Sequence, residues 1–263
     1  MNKSLNKKLG IFWWRFLFII SLFNIIINIY YYNKVTLPDN KLYLFKLVLI
    51  YTFVCGIRAL FPKKDVSGVC FYNSIFSYPI FGRFLATFAE ISIIIFISNI
   101  FKAINNEITS NENMSFIYNL LIIFIIIAQL FCWLGAITKC YLYNSIEESI
   151  WTISGLVITI INIYLLKFNN SKYQNFLKLA IVFGICYLYY MISFDVPMYI
   201  NKYKSSYNRK KLGIIKGLSS MCKCTKVTRL YTDWKSEIFW QTGYFSICVW
   251  MTLYILLWYQ NHL

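Results

Sequence analysis

The chain has 263 residues, of which 59% are hydrophobic and 14% charged, with a mean hydropathy of +0.57 and a formal charge of +16. A soluble domain needs more polar surface than this, so a water-soluble globule is excluded. The basic charge would point to nucleic acid in a soluble protein. Here it reads as Lys and Arg held beside anionic headgroups, with no nucleic-acid partner.

Continuous apolar runs of about 20 residues fit the roughly 30 Å hydrocarbon thickness as helices. Outer-membrane strands would instead alternate over about ten residues. The expected fold is all-α, a polytopic transmembrane helix bundle of about seven spans forming a single membrane domain over 1–263. In chain order the spans fall at 11–32, 42–61, 80–101, 116–138, 149–166, 176–199 and 238–258. The first is too long for a signal-peptide core and reads as an uncleaved span. Trp13 and Trp14 at its start read as a headgroup-level belt. Segment 66–82, with Gly68, Pro79 and Gly82, is apolar but broken, the pattern of a re-entrant or interfacial piece. A basic loop occupies 200–237.

Side is assigned by counting Lys and Arg. The N-terminus and loops 62–79, 139–148 and 200–237, with the adjoining helix ends, carry 18; the opposite side carries 7, and Arg15 lies inside the first span. The positive-inside bias then places the N-terminus in the cytoplasm and the C-terminus outside or in a lumen. Ile, Asn, Lys, Tyr and Phe all have AT-rich codons, so aromatic clusters carry little functional meaning by themselves. Within loop 200–237, Arg209, Lys210 and Lys211 are the expected contact with anionic lipid headgroups.

Eight cysteines are present and no CxxC. Most lie in or beside apolar runs, where a free thiol behaves as a small hydrophobe. Cys222 and Cys224 read as lipid-attachment positions beside a basic stretch, and no disulfide framework is expected. His262 is the single histidine, so multi-histidine metal sites and haem ligation are excluded within one chain, and Ser-His-Asp catalysis nearly so. No cofactor and no metal are expected, and enzyme activity is disfavoured.

The informative residues are ionisable groups in or beside spans. Glu90 lies two turns inside the third span, seven residues after Arg83 and on the same helical face. A carboxylate at membrane depth is costly and faces a partner or a polar cavity. Arg58 closes the second span. Asp195, in Phe194-Asp195-Val196-Pro197, reads as an acid near a helix C-terminus that needs a cation, Arg58 or Arg83. Glu147 and Glu148 precede the fifth span, where an N-terminal helix dipole would welcome them. Together Arg58, Arg83, Glu90, Glu147, Glu148 and Asp195 suggest a cytoplasm-facing polar vestibule, hence a transporter or channel for a small solute or ion. The alternatives are a lipid-modifying membrane enzyme using those carboxylates and a membrane scaffold or assembly factor.

Overall fold

The computed structural model describes residues 2–34, 38–168, 171–208 and 211–262. Among them, seven helices are long and apolar enough to cross a membrane: Lys3–Lys34, Leu42–Leu60, Pro79–Ile108, Glu112–Thr138, Tyr141–Leu166, Lys172–Ser205 and Tyr231–His262. The protein is thus an all-α multi-pass membrane protein, with a span wherever the sequence leads one to expect it. Two compact units divide the chain, Met1–Ile93 with Ile215–Leu263, and Ile94–Ile214.

The first unit is built on α1 (Lys3–Lys34), α2 (Asp39–Leu60), the first half of α3 (Pro79–Ile108), α8 (Ile214–Met221), α9 (Tyr231–Thr242) and α10 (Cys248–His262). α1 has the polarity of a membrane helix turned inside out. Phe12, Phe16, Ile19, Phe23 and Ile26 are exposed, while Asn6, Ser21, Asn24 and Asn28 are buried. Apolar exposure on that scale suits lipid, not water. The buried amides answer a backbone need. Between α9 and α10 the helix widens into a π-helical stretch, Gly243–Ile247, which breaks the ordinary i→i−4 ladder. Asn24 donates to the Phe245 carbonyl at 3.1 Å and the Tyr51 hydroxyl to the Tyr244 carbonyl at 3.4 Å.

Trp13 departs from the expectation of a headgroup belt. It is buried, its Nε1 donates to Thr242 Oγ1 at 3.1 Å, and its ring packs against Trp234. Its ring belongs to a core with Leu17, Tyr51, Phe71, Trp234 and Phe245.

Residues 61–78 and 215–230 of the same unit form a small cap. β1 (Lys63–Lys64) pairs antiparallel with β2 (Val69–Cys70), and β2 pairs parallel with β3 (Lys226–Val227). Gly68 turns between β1 and β2 at φ +66°, a left-handed conformation that Gly adopts without steric cost. Cys70 and Cys224 are joined by a disulfide across 154 residues of chain, their Cα atoms 5.9 Å apart. This corrects the reading of the cysteines as thiols throughout, and it removes Cys224 from the candidates for lipid attachment. Neither spacing nor motif announces the bridge, because its two ends meet only through the β2–β3 pairing. The broken segment 66–82 therefore consists of this cap and the first turn of α3.

The second unit holds the remainder of α3 with α4 (Glu112–Thr138), α5 (Tyr141–Leu166), α6 (Ser171–Tyr190) and α7 (Val196–Ser205). Asn111 caps α4 by accepting from the Asn113 and Met114 amides at 3.0 and 3.4 Å. Lys139 closes α4 in a left-handed conformation, φ 58° and ψ 30°, and α5 starts two residues later. α6 passes through a π-helical stretch, Met191–Asp195, into α7. Pro197 cannot donate to residue 193 and its ring crowds that carbonyl, so the wider turn just before it relieves the clash.

Candidate functional site

Arg83 and Glu90 meet. Both lie on α3, where the backbone separation of seven residues is roughly 10 Å along the axis. The long guanidinium closes that gap, so Arg83 Nη2 donates to Glu90 Oε1 at 2.8 Å. Arg83 also pairs with Asp65 of the cap, Nη1 to Oδ2 at 3.7 Å. Arg83 and Glu90 are 5% and 8% exposed, so this is a desolvated, charge-assisted contact and not a surface pair. The requirement that a deep carboxylate find a partner is met by Arg83.

Arg58 ends α2 and is 8% exposed. Its Cζ sits 5.4 to 5.9 Å from the ring centroids of Trp240, Tyr244 and Phe245. These rings come from the junction of α9 with the π-helical stretch. Arg58 and Glu90 both act electrostatically on the Tyr244 hydroxyl and on Cys55, so they share one neighbourhood. Among the described residues no carboxylate lies within ion-pair distance of Arg58, and its Nη1 has no hydrogen-bond acceptor.

Lys63 of β1 adds a third cation. Its Nζ donates to the Phe76 carbonyl at 2.6 Å, and its stem crosses the space left by Gly82. Burial pushes its ammonium down to about 8, Asp65 opposes that shift, and Arg58 adds to it. Sequence reasoning missed Lys63 and the three rings around Arg58. An Arg in the last turn of one helix and aromatics some 180 residues later share no sequence signal.

Glu147, Glu148 and Asp195 belong to the second unit. α5 begins at Tyr141, so Glu147 and Glu148 stand in its second turn and beyond reach of the first-turn dipole assigned to them from sequence. Glu147 is buried and accepts from Asn144 Nδ2 at 3.2 Å, and Asn144 in turn occupies the notch left by Gly135 on α4. Glu148 is half-buried. Asp195 is buried inside a continuous helical run, not at a helix C-terminus, and the Tyr190 hydroxyl donates to it at 3.5 Å. The rings of Tyr141 on α5 and Tyr199 on α7 pack together at 6.4 Å, and Glu147 and Asp195 each lie within two turns of that contact. The six residues thus fall into two triads, one in each unit. No group of three or more metal-ligating side chains occurs among the described residues.

Arg209 and Lys210 of the expected headgroup contact lie outside the described residues, and Lys211 is exposed. Compared with known protein families, curated proteins and solved structures, the chain matches none.

Proposed function

We propose that this multi-pass membrane protein binds and moves a small solute or ion, with Arg58, Arg83 and Glu90 as the polar site of its first unit. The observation that supports the reading is the Arg83–Glu90 pair at 2.8 Å, buried beside a second arginine that has no counter-ion among the described residues. A purely structural ion pair brings no such excess. Buried ion pairs are weak contributors to stability, because desolvation consumes most of their attraction. Intramembrane charge of this kind marks solute and ion pathways. Within the second unit, Glu147, Glu148 and Asp195 are that unit's own candidate polar groups for a solute or ion. Loop 200–237, through Arg209, Lys210 and Lys211, rests on anionic headgroups.

The test is flux into proteoliposomes carrying the full chain, using a panel of small inorganic ions, carboxylates and uncharged solutes. Flux above that of empty vesicles is expected, and Glu90→Gln should abolish it while the protein still accumulates and folds. If no member of the panel moves, the transport reading fails and a scaffold role takes its place; if Gln supports full flux, transport stands and the charge of Glu90 has no part in it.

Orientation is contested by two signals. The 18-to-7 basic count puts the cap in the cytoplasm. The Cys70–Cys224 disulfide favours an oxidising side for it, because cytosolic thiols are kept reduced. Ten of the 18 basic residues lie in the segment 200–237, and outside it the count is 8 against 7, so the count is the weaker signal. The proposed orientation therefore places the cap and the N-terminus on the oxidising side and the C-terminus in the cytoplasm. A reporter fused after Leu263 should read cytoplasmic, and a maleimide reagent should modify Cys70 and Cys224 only after reduction. Two free thiols together with an external C-terminus would restore the orientation given by the basic count.

A further inference from the structure

The geometry points to an oxyanion site at Arg58, in which the guanidinium and the Tyr244 hydroxyl grip a carboxylate or phosphate group against the rings of Trp240 and Phe245. The inference rests on the reading of Arg58, Arg83 and Glu90 as a solute site and names the class of solute.

Three observations carry it. Arg58 is nine-tenths buried, yet its Nη1 has no acceptor. A buried guanidinium donor without a partner carries a full desolvation cost that aromatic faces offset only in part, since a ring supplies no lone pair in the plane of the N–H groups. The Tyr244 hydroxyl, in the same neighbourhood, is likewise buried without a partner. Two orphaned donors, one on the cation itself and one beside it, call for an acceptor that is both charged and rich in lone pairs. Finally, the local charge is unbalanced. Arg58, Arg83 and Lys63 face Glu90 and Asp65, and Arg83 already engages both carboxylates. Arg58 is left as the cation that an incoming anion would neutralise. A guanidinium suits this task better than an ammonium because its planar fork can hold two oxygens of one anion.

An oxyanion of this kind comes from a free solute or from a lipid headgroup, and the two are separable. The full chain in detergent is titrated with inorganic phosphate and with acetate against chloride at equal ionic strength, following its thermal midpoint. In parallel, it is placed in nanodiscs of phosphatidylcholine with and without phosphatidic acid. A midpoint raised by phosphate or acetate but not by chloride identifies a free oxyanion. A midpoint raised only by phosphatidic acid identifies the headgroup. In either case Arg58→Met should weaken the response at least tenfold. Tyr244→Phe keeps the ring and removes only the hydroxyl, and it should weaken the response several-fold even if Arg58→Met folds poorly. The inference is overturned if neither source raises the midpoint, or if Tyr244→Phe and a folded Arg58→Met respond as the wild type does. Flux without oxyanion binding would sink this inference and leave the transport reading standing. Oxyanion binding without flux would do the reverse.

Discussion

Replacing Glu90 with alanine should destabilise the protein by about 3–5 kcal/mol, the usual cost of stripping one partner from a buried ion pair. Arg83 would keep only the 3.7 Å contact to Asp65, and its Nη2 would lose the 2.8 Å acceptor. Glu90→Gln removes the charge but leaves a carbonyl oxygen to accept from Nη2, so its loss should be smaller. The double replacement Arg83→Met with Glu90→Leu removes both charges at similar volume and should recover much of the stability lost in the single variant. A double-mutant cycle, with reversible unfolding followed in mixed micelles, reads the coupling directly. A coupling above about 1 kcal/mol is expected for groups in direct contact. A coupling near zero would mean that water reaches the pair and screens it. That result would remove the desolvated character on which the solute site depends.

Gly10→Ala should cost about 1–3 kcal/mol, the range for overpacking a filled interior. A Cβ at this position of α1 would fall on the Arg229 carbonyl oxygen, with the Arg229 carbonyl carbon at 3.1 Å and the Tyr231 amide nitrogen at 3.2 Å. These are backbone atoms at the start of α9 and cannot swing aside like the end of a side chain. To make room, α1 must back away from α9. That movement strains the reciprocal contacts one turn earlier, where Asn6 Nδ2 donates to Thr232 Oγ1 and the Thr232 amide donates to Asn6 Oδ1, each at 3.0 Å. The sign makes the test sharp. In a helix with free space, Gly→Ala is stabilising by roughly 0.5–1 kcal/mol. Gly243, where an added Cβ meets nothing within 4 Å, provides that control. Thermal midpoints of Gly10→Ala and Gly243→Ala should therefore move in opposite directions. A midpoint for Gly10→Ala that rises with that of Gly243→Ala would show that α1 and the 229–231 backbone are not in close contact.

The sequence by itself determined the fold class, the approximate places of the seven long apolar helices and the need of Glu90 for a partner. Each follows from a local quantity. Twenty apolar residues must cross a hydrocarbon layer as a helix, because no other single segment satisfies its own backbone there. A carboxylate at the depth of Glu90 must have a partner, and a residue seven positions earlier on the same face is within a guanidinium's reach. What the sequence misjudged was the state of helix ends. Glu147 and Glu148 read as first-turn acids because the apolar run starts after them, but α5 begins earlier, at Tyr141. Asp195 read as a terminal acid because of Pro197, but a π-helical turn absorbs the proline and the helix continues. Helix ends depend on capping and packing, which hydropathy does not record.

Only the tertiary structure decided the rest. The disulfide of Cys70 with Cys224 spans 154 residues and depends on the parallel pairing of β2 with β3, a long-range event with no periodic trace. The burial of Trp13 depends on Trp234 and Thr242 reaching it from the far end of the chain. Arg58 read only as the cation that closes the second span and joins the polar vestibule. Its enclosure by Trp240, Tyr244 and Phe245 exists because the chain returns some 180 residues later and turns, through a π-helical stretch, onto the end of α2. Local hydropathy specifies which segments enter the bilayer. Which charges end up without a counter-ion is set by contacts between segments distant in sequence.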